Sequence, residues 1–275
     1  MKVPVSVFIM TLNEEVNLKR CVESLSWADD IIVVDSESTD NTQQLADELG
    51  CRVVVRKLMN WSEHQNWAIR NVPFRHQWVL NIDADEIVTP ELAEEIRRVI
   101  ESNGAAVAYR FRRKDFFLGT WLRHASFYPL WLTRLYKPEH ISFERLVNPV
   151  TNVAGPVQDL EGHLNHYPFS KGISHWFERH NSYSSFEAQE YRRSTPAELK
   201  NVLLGDVNER RRALKQVFMR MPFRPAIKFF FLYFAKRGFL DGRAGLYYSL
   251  MQAFYEFMIS VKLVELSGKQ VQEAL

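Results

Sequence analysis

The segment Trp78-Val79-Leu80-Asn81-Ile82-Asp83-Ala84-Asp85-Glu86 runs an apolar strand pattern straight into three carboxylates. Carboxylates set so closely invite a cation. A hard divalent ion such as Mg²⁺ or Mn²⁺ takes oxygen ligands, and one or two carboxylates plus substrate phosphates commonly hold it. At the carboxyl end of a strand in an open α/β sheet, such a cluster lies where ligands of these folds bind. A plainer reading is a solvated acidic turn before a helix, since Thr89-Pro90-Glu91 supplies an N-cap, a proline at the first helical position and an acidic first turn. The surrounding elements must decide between them.

Residues 3–9 read as a first strand, and the polar Thr11-Leu12-Asn13-Glu14-Glu15 precedes a helical pattern on Leu18, Cys21, Val22 and Leu25. A second strand, 31–34, ends at Asp35 and is followed by Ser36-Glu37-Ser38-Thr39-Asp40-Asn41-Thr42 and a helix through Leu45, Ala46 and Leu49. A third strand over 52–56, a helix around 65–71 and the strand ending at Asp83 complete the series. Strands alternating with helices predict an α/β fold, a mostly parallel Rossmann-like sheet with helices on both faces. Three polar clusters then fall at strand ends and converge on one crevice: Thr11/Asn13/Glu14, Asp35/Ser38 and Asp83/Asp85.

The segments "FIMTLNEEVNLKRCVESL", "IIVVDSESTDNTQQLA", "NWSEHQNWAI" and "WVLNIDADEIVTPEL", in that order, resemble glycosyltransferase family 2. Within it the chain is similar to the bacterial subgroup related to lipopolysaccharide-core and exopolysaccharide glucosyltransferases. The likeness is tight over residues 3–92 and looser into "RGFLDGRAGLYYSLMQAFYEF". It implies a GT-A fold, a nucleotide-sugar donor with UDP the usual carrier, Mn²⁺ or Mg²⁺, and inversion at the anomeric carbon. By family position Asp85 is the metal ligand, while Asp83 contacts the ribose and approaches the metal through water. Asp35 accepts from the base, and Thr11, Asn13, Glu14 and Ser38 line the nucleoside pocket. Thr11, Asn13 and Ser38 are also natural helix caps. Gln65 and Asn66 have amides that can orient the carboxylates or the donor.

Inverting transfer needs a base for the acceptor hydroxyl. Chains of this kind carry a Val-His-Glu segment before a glycine and a leucine-rich strand ending in histidine. Aligning Gly155, Leu160, Gly162, Leu164 and His166 with that pattern puts Val147-Asn148-Pro149 where Val-His-Glu would stand. The expected glutamate is absent. Glu144, Asp159 and Glu86 are the substitutes, beside another carboxylate or a mechanism with no distinct base. His166 is either a further metal ligand, since imidazole suits Mn²⁺, or a strand-end histidine bonded to backbone. Arg134 offers a bidentate fork to a phosphate or acceptor, or forms an ion pair.

The formal net charge of +2 excludes a dedicated nucleic-acid binder, which would carry a basic domain. Two cysteines, Cys21 and Cys51, make neither a disulfide framework nor a zinc motif, and a reducing cytoplasm fits. A strand beginning within three residues of Met1 leaves no room for a secretory signal. Residues 1–200 are expected to form the transferase domain, 1–105 its donor half and 106–200 its acceptor half. Residues 201–275 form a helical appendage. Between Asp206 and Arg243 ten basic residues face three acidic ones around Phe229-Phe230-Phe231-Leu232-Tyr233-Phe234. That run is too short to span a bilayer, and 244–261 reads as amphipathic. Basic and aromatic side chains together suit an anionic membrane surface, or the aromatics pack on the sheet domain or in a homodimer.

The expected function is therefore transfer of a sugar from a nucleotide donor to a saccharide or lipid-linked acceptor at the inner face of a bacterial inner membrane, in polysaccharide or lipopolysaccharide synthesis. Two rivals remain. A nucleotidyltransferase would carry a glycine-rich N-terminal loop with a basic residue, which "FIMTLNEE" lacks. A sugar-nucleotide-binding homologue without catalysis fits the missing glutamate.

Overall fold

Alternation along the first strand fixes the layering. In β1 (Val3–Thr11), Val3, Val5, Val7 and Ile9 pack into one core with Leu18, Cys21, Val22 and Leu25, whereas Phe8 and Met10 face a second core containing Ala68, Ile69 and Val72. Successive strand residues point to opposite faces, so helices must cover both sides of the sheet. The computed structural model describes residues 2–57, 60–102, 104–144, 150–193, 213–214, 216–219, 221 and 223–273.

The chain continues through α1 (Glu15–Glu23), β2 (Ala28–Asp35), α2 (Thr42–Glu48), β3 (Arg52–Val55), α3 (Trp61–Asn71), β4 (Trp78–Asp83), β5 (Glu86–Val88) and α4 (Pro90–Glu101). Then come β6 (Ala108–Phe117), β7 (Thr120–Trp121), β8 (Leu130–Tyr136), β9 (Ile141–Glu144), β10 (Val150–Val153) and β11 (Val157–His166). The main sheet has the order β3-β2-β1-β4-β8-β6-β11-β5, with β7 on β6, and β9 and β10 form a separate ladder. β3, β2, β1 and β4 run parallel, as the alternation predicts. β8 is antiparallel to both β4 and β6, and β11 is parallel to β6 and antiparallel to β5. This α/β sheet, with its helices and helical C-terminal region, is the architecture expected.

Local signals explain the helix starts. Thr89 caps α4 by accepting from Leu92 N at 3.3 Å, with Pro90 in the first turn, and Leu92, Ile96 and Ile100 form its buried stripe. Asn60 caps α3 by accepting from Glu63 N. Gly162 lets α4 lie close over β11, because a Cβ there would meet Leu92 Cα at 2.7 Å. Cys21 and Cys51 are free thiols, both buried.

The chain divides into two units, one of residues 1–121 and 127–171, the other of 122–126 and 172–275. The boundary expected near residue 200 lies outside the described residues, and α5 (Gly172–Arg193) groups with the second unit. That unit continues with α6 (Arg224–Phe230), a π-helical turn (Phe231–Ala235), a short 3₁₀ segment (Gly238–Asp241) and α7 (Gly242–Glu273). Among the described residues no helix is long and apolar enough to cross a membrane.

Candidate functional site

The acidic turn between β4 and β5 is closed by its own third carboxylate. Glu86 is fully buried, and its Oε2 accepts from the backbone N–H of Asp83 at 3.0 Å. Its Oε1 takes Arg134 from β8 at 3.2 Å and Arg113 from β6 at 3.4 Å. Arg134 also holds Asp83, Nη2 to Oδ2 at 2.6 Å. Burial opposes the charge on Arg134, but Asp83 and Glu86 outweigh it and hold the guanidinium firmly protonated. Burial pushes the Glu86 carboxyl up; Arg134 and Arg113 pull it back, while Asp83 adds to the rise.

On the other flank, His166 ends β11 in register with Asp115 of β6 and Glu86 of β5. Its Nδ1 lies 2.6 Å from Asp115 Oδ1 and its Nε2 lies 3.4 Å from Asp85 Oδ2. Burial and Arg113 disfavour the imidazolium, yet Asp85 and Asp115 push the His166 pKa up to about 9. Burial likewise opposes the Asp115 carboxylate, which Arg113 and His166 nonetheless hold below its ordinary range. The Tyr167 N–H donates to the Asp85 carbonyl at 2.9 Å, tying the turn to the end of β11.

These residues form a charge inventory. Four carboxylates (Asp83, Asp85, Glu86, Asp115) meet two guanidiniums and the His166 imidazolium, so negative groups outnumber positive ones at the turn. Protonated, the ring donates from Nδ1 to Asp115 and from Nε2 to Asp85; a metal ion between Asp85 and His166 would take the place of the Nε2 proton and leave Nδ1–H on Asp115. That is the carboxylate–histidine arrangement that orients a metal ligand. Among the described residues no group of three or more His, Cys, Asp or Glu is placed to hold a metal. Asp85 and His166 are a pair, which fits an ion completing its shell with substrate phosphates and water.

The neighbouring loops bring Thr11, Asn13, Glu14, Asp35 and Ser38 together. Asp35 is fully buried at the end of β2, and its carboxylate accepts from Thr11 Oγ1 (2.8 Å), Ser38 N (2.9 Å), Ser38 Oγ (2.5 Å) and Gln43 Nε2 (2.6 Å). These four donors fill its acceptor capacity. Asn13 has φ of 56°, an uncommon conformation that asparagine tolerates, and its Oδ1 accepts from Thr39 N at 2.7 Å. Its own N–H donates to Ser38 Oγ at 2.8 Å. Neither Thr11 nor Asn13 caps α1. Glu14 accepts from Asn17 Nδ2 and pairs with Lys171, and it feels the charge of Asp85, so the two halves of the site adjoin.

Other candidates are engaged elsewhere. Arg134, offered for a phosphate or acceptor, is buried between Asp83 and Glu86. Asn66 clamps β9, donating to Phe143 O at 2.7 Å and accepting from Phe143 N at 2.9 Å, rather than orienting carboxylates or donor. Gln65 is buried, with its Oε1 left without a hydrogen-bond partner.

The three base candidates separate clearly. Glu86 is sealed from any acceptor hydroxyl. Asp159 forms a bidentate pair with Arg110 (2.8 and 3.0 Å), roughly 20 Å along β11 from His166, at the wrong end of the strand for this chemistry. Glu144 is exposed at the end of β9, and Val147-Asn148-Pro149 lie outside the described residues. Asp115, Arg113, Gln43 and Lys171 were missed by sequence reasoning. Alternation in "FRRKDFF" puts Arg113 and Asp115 on one face and was the available signal for two of them.

The model of the family described as glycosyl transferase family 2 matches residues 6–155. An uncharacterized glycosyltransferase of Rickettsia typhi is 30% identical over 283 residues, spanning 96% of this chain and 88% of its own length. The lipopolysaccharide core biosynthesis glycosyltransferase LpsC of Rhizobium meliloti is 31% identical over 123 residues, 43% of this chain and 45% of LpsC. Among solved structures, S. aureus TarS 1–349 superposes on 98% of this chain and 92% of its own, at 15% identity with a TM-score of 0.45.

Proposed function

The chain belongs to glycosyl transferase family 2 and is a glycosyltransferase, from which we propose that it moves a sugar, with inversion, from a UDP-linked donor to a saccharide or lipid-linked acceptor. The reading rests above all on the Asp85–His166 pair, backed by Asp115 and set in a cluster short of positive charge. Asp85 and His166 would hold Mn²⁺ or Mg²⁺. Such an ion supplies Lewis-acid neutralisation of the leaving diphosphate. Asp83, kept in place by Arg134, faces the ribose. Asp35, with Thr11 and Ser38, receives the base, while Asn13 and Glu14 fasten the loops around it. Gln65, with its unpartnered oxygen, is free to accept from the donor.

Glu86 and Arg134 act as positioning residues that shape the acidic turn. Of the three carboxylates weighed as base, Glu86 is sealed and Asp159 is held by Arg110, which leaves Glu144, exposed at the end of β9, and we assign it the acceptor proton. The acceptor belongs to bacterial cell-surface polysaccharide or lipopolysaccharide assembly, presented at the cytoplasmic face of the inner membrane. The likeness to LpsC supports that setting.

The test is thermal shift and nucleotide release on the purified chain with UDP-sugars, with and without Mn²⁺. One donor should stabilise the protein only with metal and release UDP slowly, and Asp85→Ala should lose both effects. Absence of stabilisation by any donor with either metal would overturn the reading. Metal-dependent binding with no release even in the presence of acceptor would leave a donor-binding homologue without turnover.

A further inference from the structure

The second unit carries its charge and its apolar surface in an unusual division. At the corner where α6 passes through the π turn and 3₁₀ segment into α7, Phe230, Phe231, Phe234 and Phe239 are exposed, Phe234 by 52%. Phe230 and Phe234 stack at 5.6 Å, so the rings form one surface rather than scattered residues. The exposure continues along α7 at Leu250, Phe254 and Phe257, which share one helical face. Exposed rings clustered in this way mark an interaction surface.

Charge is sorted over the same surface. Both carboxylates between residues 223 and 257 are turned inward. Asp241 accepts from the backbone N–H groups of His124 and Ala125, at 2.8 and 2.7 Å, and pairs with the His124 ring. Glu256 is buried against Arg224 at 3.6 Å and Lys228 at 3.7 Å. Arg237 and Arg243, by contrast, are exposed beside the aromatics. A second copy of this chain would bring like charges together at the corner. An anionic lipid surface attracts them and takes up the rings.

We propose that the exposed aromatic corner between α6 and α7, rimmed by Arg237 and Arg243, is a docking surface for anionic phospholipid bilayers. No described helix is fit to cross the bilayer, so the attachment is interfacial, with the rings at headgroup depth. It rests on the membrane-presented acceptor proposed above for its purpose, but lipid binding is measurable without any transfer reaction.

The experiment is co-flotation of the full chain with vesicles of phosphatidylcholine alone and of phosphatidylcholine mixed with phosphatidylglycerol. Binding is expected only to the anionic vesicles and should weaken with salt. Phe230→Ser with Phe234→Ser should abolish it, and Arg237→Asn with Arg243→Gln should weaken it roughly fivefold per charge removed. Melting temperature and Mn²⁺-dependent donor stabilisation, read on the same samples, verify that the variants fold. Equal binding to both vesicles, no binding, or unaffected binding by the phenylalanine variant would overturn the proposal. So would a lipid-free dimer that the same variant dissociates, which would give the face to a second copy. No lipid binding by the unsubstituted chain with donor stabilisation intact would fail this surface alone, whereas lipid binding without donor stabilisation would fail the transferase reading alone.

Discussion

Arg134 stands between two carboxylates that could not share one turn without it. Removing one partner of a buried ion pair leaves the other unpaired, so Arg134→Met should destabilise the fold by about 3 kcal/mol, softened by Arg113. Adding Glu86→Gln should recover part of that loss, because a neutral amide needs no counter-charge; denaturant titration of the single and double variants measures it. Simple additivity in that cycle would mean the two side chains do not act as a pair. Asp115 works through His166: Asp115→Asn should weaken Mn²⁺ binding about 10- to 100-fold in calorimetric titration with UDP present, and should also lower the melting temperature because Arg113 and His166 lose a buried partner. Undiminished affinity would remove Asp115 from the site. Asp83 and Asp85 could be picked out as candidates in the sequence because the elements around that weak pair of carboxylates alternate as in a parallel sheet. Asp115 could not, since its partnership depends on β11 lying beside β6, a pairing that joins residues far apart in the chain.

At the scale of elements, the contact of α4 with β11 hangs on one missing side chain. Gly162→Ala would place a Cβ within 2.7 Å of Leu92 Cα and 3.0 Å of its nitrogen, both backbone atoms of a capped helix. The helix must shift, at about 1–3 kcal/mol, seen as a lowered melting temperature. In the other unit, α5 holds His180 against Trp176, with ring centroids 3.6 Å apart, and edge-on to Tyr255. Burial pushes the His180 pKa down to about 4. The unfolded chain, with histidine near its ordinary 6.5, takes up a proton that the folded chain refuses, so this contribution is complete above 6.5 and is lost as pH falls toward 4. Its size is about 2 kcal/mol once partial contact with water is allowed for. Melting temperatures across that window should fall more steeply for wild type than for His180→Gln; parallel curves would refute it. The N-terminal strands and helices were legible because each carries its own periodicity, with a capping side chain added at α3 and α4. The antiparallel insertion of β8 between β4 and β6 was not, for nothing within "LWLTRLY" states its neighbours.

Across the whole molecule, the net charge argued only against a nucleic-acid binder and hid the sorting of that charge. A total of +2 contains buried carboxylates in one region and exposed arginines in another, and only folding separates them. The expected helical appendage was legible in outline, but the grouping of α5 with it was not, because that follows from its packing on α7 rather than from any break in composition. The two thiols carry a consequence of a different kind. Cys21 lies beneath the acidic turn, with Sγ 3.7 Å from the Asp83 carbonyl, and burial with the nearby Glu86, Asp85 and Asp83 charges pushes its pKa well up. Burial pushes Cys51 up to about 11. Thiols so protonated and so enclosed react slowly with disulfide or maleimide reagents. The natural chain therefore holds its own clock: the rate at which a colorimetric reagent modifies these sulfurs reports how often the unit that carries the acidic turn opens, and a nucleotide sugar, if bound as proposed, should slow it.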